Sequence, residues 1–119
     1  MIYKNVRIKG NEMKNLTPHD IVVLIDNTEH VFVKSGEVAR VSVTDVVIGQ
    51  EFGVDIVVSE FGEVVGVPEV GGEKFLVSAM VLGALGVEYR GQAFAPDTGS
   101  TAIRNDMGHI KAVTRLKTV

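Results

Sequence analysis

The chain has 119 residues, 45% of them hydrophobic and none cysteine, so it is long enough for one domain with its own core and has neither disulfides nor thiolate metal sites. A formal charge of −3, from 12 Lys and Arg against 15 Asp and Glu, argues against a broad basic face that grips a nucleic acid polymer. The longest apolar stretch, Phe75 to Val87, is broken by Ser78 and two glycines and falls short of the ~20 residues that cross a bilayer, so no membrane role is expected.

Met1 to Gly10 carries lysines and an arginine but no continuous apolar segment of the secretory kind, and with the missing cysteines this makes the cytoplasm the expected compartment. The organised pattern begins near Met13. Residues 1–12 therefore read as an N-terminal extension or an edge strand in which Tyr3, Val6 and Ile8 alternate imperfectly, and 13–119 as a single β-rich domain.

From Asp20 the chain reads as short β-branched runs between turn residues: Ile21 to Ile25, a turn at Asp26-Asn27-Thr28, His30 to Lys34, a turn at Ser35-Gly36, and Val38 to Val43. Val54 to Ser59 and Glu63 to Val67 continue the pattern as a hairpin around Phe61-Gly62, after which Pro68, Gly71 and Gly72 break the chain. Phe75 to Val77 is expected as a strand that delivers Ser78 as the N-cap of a short helix, Ala79 to Leu85, with Gly86 at a left-handed C-terminal cap. That helix is apolar on nearly every side and so should be buried. Gln92 to Ala95, a turn region from Pro96 to Ser100, a polar stretch to Gly108 and a last strand from His109 to Leu116 complete the chain. The expected fold is mainly β (or α+β), a small antiparallel sandwich or partly open barrel carrying one short buried helix.

Asp97-Thr98-Gly99 is the triplet of aspartic proteases, but Pro96 precedes it and only 22 residues follow, too few for a flap and a second motif. A Pro-Asp-Thr-Gly turn is the plainer reading. Such a turn has its own chemistry: the backbone N–H groups and hydroxyls of Thr98, Gly99, Ser100 and Thr101 suit a concave anion site beside Asp97. Arg90 and Arg104 flank this segment, so both guanidiniums can reach one end of the sheet and grip a phosphate or carboxylate, unless each pairs with an acidic residue instead.

Leu16-Thr17-Pro18-His19-Asp20 sets a hydroxyl, a rigid proline and an imidazole together, as a ligand-orienting group or simply as a turn. Arg40 alternates with apolar neighbours and points away from the core, either to solvent or as a third cationic lining group. Tyr89, beside Arg90, is the aromatic best placed to stack on a base. His19, His30 and His109 are widely spaced, so no metal site is expected; no phosphate loop, nucleophile elbow or cofactor motif occurs.

Taken together, Asn15-Leu16-Thr17-Pro18-His19, Ser35-Gly36 with Ala39-Arg40, Phe61-Gly62-Glu63-Val64 with Gly66-Val67-Pro68, Val77-Ser78-Ala79, and Pro96-Asp97-Thr98-Gly99 with Ala102 and Arg104 form a recognisable string. It resembles a family of small phage and prophage proteins with an N-terminal Asn-Leu-Thr-Pro-His motif, over residue 13 to the end. The resemblance supplies no catalytic residue. It implies, by analogy, a protein that binds host components or sequesters a nucleotide-derived signal in the host cytoplasm. The leading expectation is thus binding of a small anionic ligand without turnover, in a cleft that a homo-oligomer would complete. The alternatives are an enzyme acting on that ligand through His19 or Asp97, and a structural or host-protein-binding module.

Overall fold

The computed structural model describes residues 4–8 and 13–119, and strands make up 49% of the chain against 8% helix, so the protein is mainly β. A three-stranded sheet has the order β1 (Lys4–Ile8), β4 (Thr28–Phe32), β3 (Ile21–Ile25), with β1 parallel and β3 antiparallel to β4. Tyr3, part of the alternation expected near the N-terminus, lies outside the described residues. β3 and β4 are joined by Asp26 and Asn27 at φ +50° and +62°, the left-handed region that short polar side chains tolerate best.

The second sheet contains β2 (Lys14–Asn15), β7 (Phe75–Leu76), β8 (Ala93–Pro96) and β11 (Leu116–Thr118), in the order β11-β8-β7-β2. Only the β8–β11 pair is antiparallel; β2, β7 and β8 run parallel. The core lies on this sheet. Phe75, Val77, Ala93 and Ala95 are fully buried in it, and Leu16 and Ala39 close over them with Val81 and Leu82 of α1 (Ala79–Ala84). Tyr89 meets the Phe75 ring edge-on at 5.8 Å between centroids, a favoured aromatic geometry.

Ser78 caps α1 as expected, its hydroxyl accepting from the Val81 N–H at 3.2 Å. Two expectations for this segment are corrected. Gly86 has φ −79°, not a left-handed value; it leads into a 3-10 turn, Val87–Tyr89, and the helix ends at Leu85. The helix is only half buried, because six residues make less than two turns and present one face, Val81 and Leu82, while Met80 is 55% exposed.

The largest correction concerns residues 40–65. The expected turn at Phe61-Gly62 lies inside a strand: β5 (Arg40–Glu51) and β6 (Val54–Val65) form one 12-residue-per-strand hairpin whose turn is Phe52-Gly53, at φ +51° and +80°. Gly62 marks a bulge instead. The register shifts between Val41 and Val43, where Gly62 stands so close to Ser42 that a Cβ would fall 2.1 Å from its Oγ.

At the base of the hairpin Val41 and Val64 pair and pack on the core; beyond them both faces are exposed. Twelve residues at about 3.3 Å each give an arm of roughly 40 Å. The radius of gyration, 16.8 Å, accordingly exceeds the ~13.5 Å of a compact chain of this length, and the longest dimension is 54 Å. The remaining strands, β9 (Ile103–Arg104) and β10 (Ile110–Ala112), make a short antiparallel pair that is stitched to β3 through Val113, whose N–H donates to Val22 O at 2.9 Å. Among the described residues no sheet closes into a barrel, and no helix is long and apolar enough to cross a membrane.

Candidate functional site

Asn15, at 1% exposure, organises the segment that leads into β3. Its amide donates to His19 O and Phe32 O, both at 2.8 Å, and its Oδ1 accepts the Thr17 N–H at 2.9 Å and the Thr17 hydroxyl at 2.7 Å. Every polar atom of the Asn15 side chain is thereby satisfied, which a buried amide requires. Thr17, expected at a ligand, is withdrawn from the surface: its hydroxyl is part of this knot, which holds the main chain so that the exposed His19 side chain stands outside it.

The turn region expected from Pro96 to Ser100 follows β8, with Pro96 itself ending the strand, and the anion held in it is its own. Asp97 is 4% exposed; Oδ1 accepts the Gly99 N–H at 3.1 Å and Oδ2 accepts Arg115 Nε at 2.9 Å and Nη2 at 2.6 Å. Lys117 Nζ lies 4.0 Å from Oδ1. The Gly99 N–H, and next to it the Arg115 guanidinium, hold the carboxyl below its ordinary range against the opposing effect of burial. Asp97 and the Gly99 N–H, both expected at a ligand, are bonded to one another in the single chain. A buried carboxylate needs the donors around it, and the bend has supplied them to Asp97.

Arg104 reaches the same bend, donating from Nη2 to Thr98 O at 3.2 Å and from Nη1 to Gly108 O at 2.8 Å. Both acceptors are neutral carbonyls, so these contacts leave its charge uncompensated. Arg90 does not join it. Its Nε donates to Val119 O at 2.8 Å, at the end of the β8–β11 ladder where Thr118 faces Phe94, whereas the Asp97 bend lies beyond the other end, where Leu116 faces Pro96. The two arginines are thus held at opposite ends of a ladder of three paired positions, and the two-arginine grip expected from the sequence does not form within one chain. Tyr89 is also spent on structure: its hydroxyl donates to Pro68 O at 2.9 Å and its ring packs on Phe75. Arg40 lines a separate, shallow groove of about 490 Å³ with Ser42 and Glu63 at the base of the arm.

The structure does bring His19 and Thr98 together. A groove of about 280 Å³ opens between the His19 to Val22 segment, the Pro96 to Thr98 end of β8, and β10 with Val113. Ile21, Val22, Pro96 and Val113 give it apolar walls; its polar groups are His19, Asp20, Thr98 and Lys111. Asp20 Oδ1 already accepts the Lys34 N–H at 2.8 Å. Lys111 takes part in none of the three ion pairs among the described residues, which are Lys14 with Glu37 and Asp97 with Arg115 and Lys117. An imidazole, an unpaired ammonium and a hydroxyl around an apolar cleft, with Arg104 on the carbonyl of Thr98, can hold a small anion that also carries an apolar or planar part. Ser100 is exposed on the bend but is not part of the groove wall.

Lys111 and Arg115 were not singled out in the sequence, and Asn15 entered only as the first residue of the Asn-Leu-Thr-Pro-His string. Arg115 and Lys117 stand at alternate positions near the C-terminus, which places them on one face of a strand and was the available signal. No protein-family model, curated protein or solved structure matches the chain, so the groove is judged on its own geometry.

Proposed function

We propose that this protein binds a small anionic, nucleotide-derived ligand without turning it over, and that the groove between His19, Thr98 and Lys111 is the site. The observation that carries the reading is the convergence of these three groups on one apolar cleft while the neighbouring carboxylates, Asp20 and Asp97, are engaged by donors of the protein itself. Negative charge at the mouth is thereby muted and positive charge is left available. A phosphate would accept hydrogen bonds from Lys111, Thr98 and a ring N–H of His19, with the apolar walls against a sugar or base. Binding is favoured over the enzymatic alternative because Asp97, one of its two acid–base candidates, lies sealed beneath Arg115. If the resemblance expected from the sequence string holds, sequestration is by analogy the biological purpose.

The groove's size limits what one chain achieves. At about 280 Å³ it is at the small end of ligand sites, matched to a phosphorylated sugar or a base and not to a whole dinucleotide. Sequestration at nanomolar affinity requires about 12 kcal/mol, which an open groove covering one side of a ligand does not reach. The exposed arm favours the second reading, an assembly or partner-binding module. Thermal denaturation against a panel of mono- and dinucleotides tests the first: a ligand at 100 times its Kd should add about 2.7 kcal/mol of stability, and mass spectrometry should recover it intact. Equal shifts in wild type and in a Thr98→Val, Lys111→Ala double variant would contradict the site; a converted compound would contradict binding without turnover.

A further inference from the structure

The β5–β6 arm places hydrophobic side chains where a lone chain gains nothing from them. Val47, Ile48, Phe52, Val54 and Val57 are between 47% and 102% exposed, and Phe52, the most exposed, sits at the turn with φ +51°. An aromatic residue gains nothing locally from the left-handed region; its placement there costs about 1–2 kcal/mol and calls for a compensating contact. A two-stranded ribbon is also marginal by itself in water, and this one runs 12 residues with both edges unpaired among the described residues. Counting the arm's apolar side chains at their exposures, the surface to be covered is on the order of 1,000 Å², against roughly 800 Å² per partner in a standard stable interface.

Charge says what covers it. From Val43 to Phe61 the arm carries Asp45, Glu51, Asp55 and Glu60 and no basic residue, a net charge of −4. From Ile103 to Ala112 the β9–β10 pair carries Arg104 and Lys111 against Asp106, so 2 − 1 gives +1, and the adjoining Arg115 and Lys117 outweigh the Asp97 they meet by one more charge, 2 − 1 again. Within that basic segment Met107 and Ile110 are 80% and 41% exposed. The protein thus bears both an acidic, apolar projection and a basic, apolar surface, and a chain of this composition is its own complement.

We infer that the β5–β6 arm of one chain packs on the β9–β10 surface of a second copy, reciprocally, to form an arm-exchanged dimer. Its two-fold symmetry buries both arms and leaves no open end for further growth. The docking surface shares β10 with the ligand groove, whose lining includes Ile110 and Lys111, but Phe52 and Met107 lie outside that lining, so substitutions at these two positions test the dimer apart from the ligand reading.

Sedimentation equilibrium of the full chain tests it. Wild type should be a dimer at micromolar concentration, weakened by added salt. Phe52→Ser and Met107→Ser alter side chains that touch little in the single chain, so both variants should keep the wild-type circular dichroism spectrum while the dimer Kd rises at least 10-fold. Mixing the two variants should restore association relative to either alone, since one arm–body contact of the mixed dimer is then intact. A chain that stays monomeric at 100 μM, a dimer indifferent to Phe52→Ser, or a mixture no tighter than its components would each overturn the arrangement.

Discussion

Asp97 and Arg115 form a contact across the β8–β11 ladder in which a nearly inaccessible carboxylate is covered by a largely exposed guanidinium, with Nε and Nη2 both on Oδ2 at 2.9 and 2.6 Å. The pair neutralises the bend that forms one wall of the groove and fixes where Thr98 stands.

The carboxyl of Asp97 is held below its ordinary range by the Gly99 N–H and by Arg115, so its contribution is fully present above the unfolded-state value near 3.9 and is lost as pH falls through the lower folded value. Urea midpoints of wild type and Asp97→Asn should therefore differ most above pH 5, and the gap should begin to close as the pH falls below about 4. A gap that stays constant from pH 7 to pH 3 would show that the carboxylate's charge contributes nothing.

Asn15→Ala removes an amide that serves four partners and leaves the Thr17 and His19 groups to find others in a buried site. The expected loss is about 2–3 kcal/mol, read from denaturant midpoints. Thr17→Ser, which keeps the hydroxyl, should cost well under half of that.

Phe52→Asn exchanges an aromatic for a residue that tolerates φ +51°, in a turn where nothing packs on the ring. Measured well below the dimer Kd, the variant should be more stable by about 1 kcal/mol, while association weakens. Stability and assembly should thus move in opposite directions from one substitution.

Much of the fold was legible. The strands Ile21 to Ile25 and Phe75 to Leu76, the Asp26-Asn27 turn and the Ser78 cap depend on neighbours within a few residues, and local chemistry specifies them. The arm was not, because Phe52 is a poor residue for the turn it occupies while Phe61-Gly62 has the composition of a turn and serves as a bulge. The site divided in the same way. Thr17 and His19 stood out as a pair, yet which one is buried is decided by Asn15 bonding Phe32 O, 17 residues away, and Asp97 found Arg115 across 18 residues. Arg90 and Arg104 lie close in sequence to the same bend, but β8 carries one to each end of a ladder. Proximity in sequence told nothing about which side of a strand each would serve.

The groove itself is tested most directly by following backbone amide resonances during titration with a nucleoside monophosphate, and with inorganic phosphate in parallel. The account predicts that His19, Thr98, Lys111 and Val113 shift together and saturate with one binding constant, that the nucleotide binds more tightly than phosphate, and that Lys111→Ala weakens both by about 10-fold. Shifts centred on Arg90 and Val119 or on the arm, with the groove residues unmoved at saturation, would contradict it.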